Sequence, residues 1–260
     1  MGFTILYREG TPDEDVLRCS FERDRFFPAV PEYRPRRYDT IIDVGAHIGT
    51  FSLLAASKVT KGKVLAVEAS EESFDYLRRN IKANSIENIV PIHLALADHK
   101  GIARLYRSPE GNWADTITKE VSREYEEVVA DTLANLMNDN SIRRCDFMKI
   151  NCEGAEFPII LSTPREILRR IRTILILYHL DLIAGYSELG LIDRLHECGF
   201  RTRIRNRTAR RGWIIARNKA FAIRMEELFQ YAVWRLCSPL GLTRLWPLFW
   251  RLSQPMFNRS

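Results

Sequence analysis

The sequence has no Cys-x-x-Cys pair. Its five cysteines, at 19, 145, 152, 198 and 237, lack the spacing of a disulfide framework, so reduced thiols in a cytoplasmic protein are expected. It has no apolar run of the roughly 18 residues that a spanning helix needs. The opening stretch MGFTILYREGTPDED is acidic and has no apolar h-region, so no secretory signal is expected. Acids are scarce at the other end. Residues 199–260 hold 13 Lys and Arg against 2 Asp and Glu, a balance of +11, which leaves residues 1–198 at −5 within the total of +6. Such a split accompanies a polyanion, an anionic membrane surface, or no more than a solvated basic face.

What is present fits one large domain with a short addition: 260 residues, 46% of them hydrophobic, can bury a sizeable core. The most informative stretch is IIDVGAHIGTF, residues 41–51. An apolar run ends at Asp43 and opens into a Gly45-x-x-x-Gly49 turn followed by a helical pattern. Glycine at 45 lets the backbone turn sharply and approach a ligand, and a helix starting near Gly49 aims free N–H groups at an anion. The third glycine of the dinucleotide fingerprint is missing. S-adenosylmethionine has no pyrophosphate and needs only its carboxylate served by the helix end, with an acid such as Asp43 at the ammonium. A second acid, Glu68, closes the strand-like VLAVEAS (64–70) and stands 19 residues after Gly49. There it can accept both ribose hydroxyls.

Strand and helix patterns then alternate. Phe74, Leu77 and Ile81 have helical spacing; residues 88–97 read as a buried strand, 145–151 as a strand, 156–170 as a helix, 172–180 as a strand, and 187–200 as a helix entering a strand. The last two strands, FRTRIRNRT and RGWIIARN, form a hairpin around a basic turn. Repeated βα units predict a mostly parallel sheet covered on both faces, with ligands beyond the carboxyl ends of its strands. That rule places Asp43, Glu68, Asp98, Asn151, Glu153 and His179 on one rim. Between Gly101 and Ala130 the pattern weakens, and SPEGNWADT reads as a polar loop suited to a substrate lid.

Residues from about 39 to 200 resemble the FkbM family of S-adenosylmethionine-dependent methyltransferases. The resemblance rests on IIDVGAHIGTFSLLAA, VLAVEASEESFDYLRRNIKANSIENIVPIHLALAD, DTLANL (131–136) and FMKINCEGAE (147–156), the KI-x-x-EGAE element being the most specific. It implies an α/β class I, Rossmann-like fold with a seven-stranded sheet, S-adenosylmethionine as donor, and O-methylation of a hydroxyl on a sugar, glycan, lipid-linked saccharide or other metabolite. Asp43, Gly45, Ala46, His47 and Gly49 match the methionine-binding loop, Glu68 the ribose acid, and Ala97 and Asp98 the adenine end. No metal ligands are expected. The chain departs from the family pattern at three acids: Asn151 stands in KID-x-EGAE, Ala134 in the TLD element, and Leu177 in the E-x-H before the last parallel strand ends.

Methyl transfer demands a positioned acceptor and a proton acceptor. His179 is the first candidate base, since imidazole titrates near neutrality; a satisfied rim histidine is the alternative. Glu153 is the second candidate, to orient the acceptor or take the proton, unless it caps the helix after Gly154. Lys149 is expected to pair with an acid. The divisions expected are an extension over 1–38, the methyltransferase domain over 39–217, and a basic, aromatic helical extension over 218–260. In the last, residues 221–237 carry an apolar helical stripe. Beyond it Trp246, Phe249, Trp250 and Phe257 are interleaved with Arg244 and Arg251, a pattern for a peripheral membrane surface, a protein partner, or packing on the chain's own domain. A nucleic-acid amino-methyltransferase would carry an Asn/Asp-Pro-Pro-aromatic element where this chain has Asn151-Cys152-Glu153-Gly154. The remaining alternative is a cofactor-binding module without catalysis.

Overall fold

A computed structural model of the chain describes residues 2–22, 26–109, 111 and 114–237. The apolar runs become one seven-stranded sheet in the order β3-β2-β1-β7-β8-β10-β9. Its members are β1 (Thr40–Val44), β2 (Lys63–Glu68), β3 (Ile89–His93), β7 (Phe147–Ile150), β8 (Thr173–His179), β9 (Phe200–Arg205) and β10 (Arg211–Asn218). Pairing is parallel from β3 to β8, and β10 runs antiparallel to both β8 and β9. This is the mostly parallel α/β sheet, with a closing hairpin, that the sequence predicts.

The central strands are buried on both faces, which is why they read as continuous apolar runs. Ile42, Val44, Leu65 and Val67 face one core, while Ile41, Val64 and Ala66 face the other. Helix α2 (Thr50–Lys58) is buried around most of its girth, because residues 2–22 and 26–38 form an extra layer outside it. Phe26 and Phe27 pack their rings on Phe51. The Ser20 and Thr50 hydroxyls share a 2.7 Å hydrogen bond. Helix α3 (Glu71–Ala83) buries Leu77 and Asn80. The Asn80 side chain donates to Leu6 O and Ile48 O and accepts from Leu6 N, fixing the N-terminal segment against the turn before α2.

Three elements differ from the sequence reading. Residues 88–97 are not one strand: β3 ends at His93, and β4 (Ala95–Ala97) joins a second sheet of order β4-β6-β5. The weakly patterned stretch supplies β5 (Gly101–Tyr106) and β6 (Tyr125–Thr132), an antiparallel pair that buries only Leu105, Val128, Ala130 and Asp131 and so carries little hydrophobic signal. The helix expected over 156–170 stops at Ser162 and resumes at Arg165, on either side of Pro164, which restricts the residue before it and lacks a donor.

Helix α8 (Met225–Cys237) docks by its polar face. Arg224, just before it, reaches Asp39 and Asp146; Glu226 meets Arg36; Glu227 meets Arg172; and Arg203 lies over the Trp234 ring at 4.5 Å. Met225, Leu228 and Leu236, part of the anticipated apolar stripe, are exposed instead. The sequence pattern cannot reveal this, since the acids that fix the helix lie in other elements. The aromatic positions 246–257 fall outside the described residues. Among the described residues no helix is long and apolar enough to cross a membrane.

Candidate active site

The turn after β1 is shaped by its backbone. Gly45 has φ +72°, and the amides of Gly45 and Ala46 both donate to Val67 O at 3.0 Å, tying the turn to β2. A side chain at 45 would place its Cβ 1.8 Å from Asn151 O, so β7 approaches as closely as it does only because residue 45 is glycine. His47 is also left-handed at φ +53°, and Gly49, at φ +89°, caps α2. The carboxylate of Glu68 holds this loop. It accepts from His47 N at 2.7 Å and from Ser70 N at 2.9 Å. Burial raises its pKa against the lowering by those two amides.

Asp43 lies beneath the turn. It is fully buried, one oxygen receiving Ser52 Oγ at 2.7 Å and the other Lys149 Nζ at 2.8 Å, while Lys149 also donates to Gly45 O at 3.0 Å. Lys149 has the acidic partner expected of it. Asp43 is not on the cavity wall, and its place at the front of the loop is taken by the Lys149 ammonium, which is.

One cavity of about 630 Å³ runs along the rim from β2 to β10. At its β2 end lie Glu68, Ala69 and Leu94 to Leu96, with Leu105 from β5 and Ile117 from the segment between β5 and β6. Ala97 is buried and does not line the cavity; Asp98 is exposed and engaged with His99. The chain bends toward the second sheet after Leu94, so the wall expected from Ala97 and Asp98 comes from the residues just before them. Asp115, which the sequence gave no reason to single out, also lines this end. It is held by Arg107 at 2.9 Å and by Ser108 N at 2.8 Å.

The roof over the glycine turn is the N-terminal segment. Arg8 pairs with Asp13 and contacts His47 Nε2 at 3.2 Å, and Asp13 lies 3.3 Å from the same nitrogen. Burial pulls the His47 imidazole down to about 4, against the opposing charge of Asp13, so it is neutral at physiological pH. His47 therefore joins roof to loop rather than presenting a charge to the cavity.

At the far end stand β7 and β8. His179, the last residue of β8, is buried, with Nδ1 3.0 Å from Glu156 Oε1. Since a carboxylate only accepts, Nδ1 carries the proton and Nε2 faces Glu153 at 3.5 Å. Glu156 also accepts from Cys152 N and Gly154 N. It, not Glu153, is the acid that caps this loop. Burial lowers the His179 pKa, but the charge and hydrogen bond of Glu156, with the charge of Glu153, outweigh it and leave the imidazole above its ordinary value. Glu153 is pushed up to about 7, by burial first and by Glu156 in addition, with His179 opposing.

The FkbM methyltransferase domain matches residues 43–202. The chain belongs to this family. Methyltransferase sdnD of Sordaria araneosa is 26% identical over 168 residues, 52% of this chain and 64% of that protein. AMB antimetabolite synthetase AmbE of Pseudomonas aeruginosa is 24% identical over 247 residues, 76% of this chain and 11% of that protein. The chain thus spans less than two thirds of either relative. Among solved structures, precorrin-6y C5,15-methyltransferase of Geobacter metallireducens overlays with a TM-score of 0.45 at 16% identity, covering 74% of this chain and 87% of that one.

Of the residues matched to the family pattern, Gly45, Ala46, His47, Glu68, Glu153 and His179 line the cavity together. Of the three departures, Asn151 and Leu177 also line it, whereas Ala134 packs against the core near the start of α4 (Leu133–Asp139). Leu177 pairs in register with Trp213 across β8 and β10, and Trp213 stacks on Phe26 at 6.2 Å. Trp213 and Phe26 were not legible as site residues. Period-two alternation marks Trp213 as one face of a strand, but nothing local says that this face meets a cavity.

Proposed function

We propose that the chain is an S-adenosylmethionine-dependent methyltransferase acting on a hydroxyl, of the kind carried by a sugar, glycan, lipid-linked saccharide or other metabolite. The observation that carries this reading is the continuity of the cavity, which holds Glu68 and the glycine turn at one end and His179 with Glu153 at the other. The residues fit the donor. Glu68 is a buried carboxylate with lone pairs left for ribose hydroxyls after its two amide bonds. Lys149, on the cavity wall, and the first amides of α2 would hold the carboxylate of the methionine part. Leu94 to Leu96, Leu105 and Ile117 provide an apolar slot for adenine. When bound, S-adenosylmethionine supplies an electrophilic methyl on a sulfonium.

The chain's own work is then positioning and proton removal. Glu156 fixes the imidazole tautomer so that His179 Nε2 is free to take the hydroxyl proton. Leu177 and Trp213 give that end an apolar wall against which the acceptor can be positioned. Release of S-adenosylhomocysteine in the presence of a hydroxylated acceptor panel tests the reading; binding of the donor without turnover on any acceptor would favour a non-catalytic module.

The pH dependence follows from the same groups. The base must be unprotonated, and both the raised His179 and Glu153, at about 7, gain their active forms as pH increases. The rate constant kcat/KM is expected to climb through a limb above the ordinary histidine range. Glu156→Gln removes the charge that raises His179, and so is expected to move the limb to lower pH while reducing the plateau. A pH profile of both proteins checks this; an unmoved limb would remove His179 as the titrating base.

A further inference from the structure

Two buried hydrogen-bond acceptors face each other at the acceptor end of the cavity. Glu153 is 3% exposed, and neither of its carboxylate oxygens has a hydrogen-bond partner. The facing ring nitrogen, His179 Nε2, is 3.5 Å away, beyond good hydrogen-bond length. A buried carboxylate without donors is costly, and this one also sits on a left-handed backbone at φ +47°. Its surroundings enforce that geometry: Thr116 Oγ1 donates to the Glu153 carbonyl, while Glu156 accepts from the amides on either side. An orphaned acceptor held in a strained conformation on a cavity wall marks a place for a ligand's donor.

The donors can be counted. His179 has its Nδ1 proton committed to Glu156, so the neutral ring offers Nε2 only as an acceptor. A lone hydroxyl has one proton and satisfies either Nε2 or Glu153, leaving the other buried and unpaired. Two neighbouring acceptors call for two O–H groups on neighbouring atoms. The adjoining wall, made of Leu177, Trp213 and Phe26, is rich in carbon and suits the skeleton that carries them.

Resting on the methyl-transfer reading above, we propose that the acceptor is a vicinal diol. One hydroxyl gives its proton to His179 Nε2 as its O–CH₃ bond forms and the sulfonium S–CH₃ bond breaks; its neighbour stays protonated and donates to Glu153. Glu153 is thereby the residue that selects which of two hydroxyls is methylated.

The test uses trans-cyclohexane-1,2-diol and cyclohexanol as probes, titrated into the full chain saturated with S-adenosylhomocysteine, with the His179 imidazole resonances as readout. The diol is expected to bind about 10-fold or more tightly than the mono-ol, the worth of one hydrogen bond to a charged group. In Glu153→Gln that gap is expected to fall to about 3-fold or less, with S-adenosylhomocysteine affinity held within about 3-fold. Equal affinity of the two probes for the unmodified chain, or no effect of the diol on His179, overturns the proposal without recourse to any variant. A loss of about 10-fold or more in S-adenosylhomocysteine affinity in Glu153→Gln also overturns it, by assigning the carboxylate to the cofactor's ammonium. Calorimetry of the unmodified chain with S-adenosylhomocysteine reports separately: no binding there would defeat the methyl-transfer reading itself.

Discussion

His179→Ala is expected to lower methyl-transfer turnover by about 10²–10⁴-fold, the usual contribution of a positioned general base, with donor affinity nearly unchanged. The separation of the two effects comes from the geometry. His179 ends β8, while the glycine turn and Glu68 belong to β1 and β2, with β7 between them. Its contacts are to Glu156 and Glu153, both on the β7 side of the cavity. Removing the imidazole deprives Glu156 of one hydrogen bond but leaves its two amide partners, so the loop from Asn151 to Ala155 keeps its shape. The measurement is single-turnover release of S-adenosylhomocysteine beside donor titration. A variant that turns over within about 3-fold of the parent would show that proton removal is not limiting or lies elsewhere.

Lys149→Met is expected to destabilise the fold by about 3–5 kcal/mol, the cost of leaving one partner of a buried ion pair alone. The Lys149 and Asp43 side chains are 5% and 0% exposed, so solvent cannot replace the missing partner. Asp43 would keep Ser52 Oγ as its donor and lose the charge that balances it. Methionine fills a similar volume between Phe26 and Phe51, whose rings lie 5.6 and 5.7 Å from the ammonium, so the loss reports charge rather than packing. Adding Asp43→Asn should recover much of it, since the remaining amide is uncharged. Urea denaturation of the single and double variants, with comparable slopes, checks both statements. A single variant within about 1 kcal/mol of the parent would mean that the Lys149–Asp43 pair does not hold the fold.

The sheet was legible because its central strands are buried on both faces and therefore spell uninterrupted apolar runs, each followed by a helical pattern. That Gly45 and Glu68 would share a cavity wall was legible for a related reason: both act through local backbone geometry at strand ends, and their spacing survives in the sequence. Asp43 shows the limit of that logic. Its position before the glycine turn fits a ligand contact, but a lysine 106 residues later in the chain occupies it. The acceptor half was less legible still. His179, Glu153 and Leu177 come from one stretch of chain, yet Trp213 and Phe26 reach the cavity only through tertiary packing. Likewise β5 and β6 bury only a few of their side chains, and so lack the apolar run that betrays a strand buried on both faces.

The central claim is that the cavity beside Glu68 takes S-adenosylmethionine. Glu68 holds the His47 amide and in the proposed reading would also meet the ribose, so its loss should weaken binding by more than one hydrogen bond's worth. Calorimetric titration of S-adenosylmethionine into the chain and into Glu68→Ala measures this directly. The account predicts one-site saturable binding to the unmodified chain and a loss of about 100-fold or more in the variant, from two or more charge-assisted hydrogen bonds. Absence of binding to the unmodified chain, or equal binding to both, would contradict it.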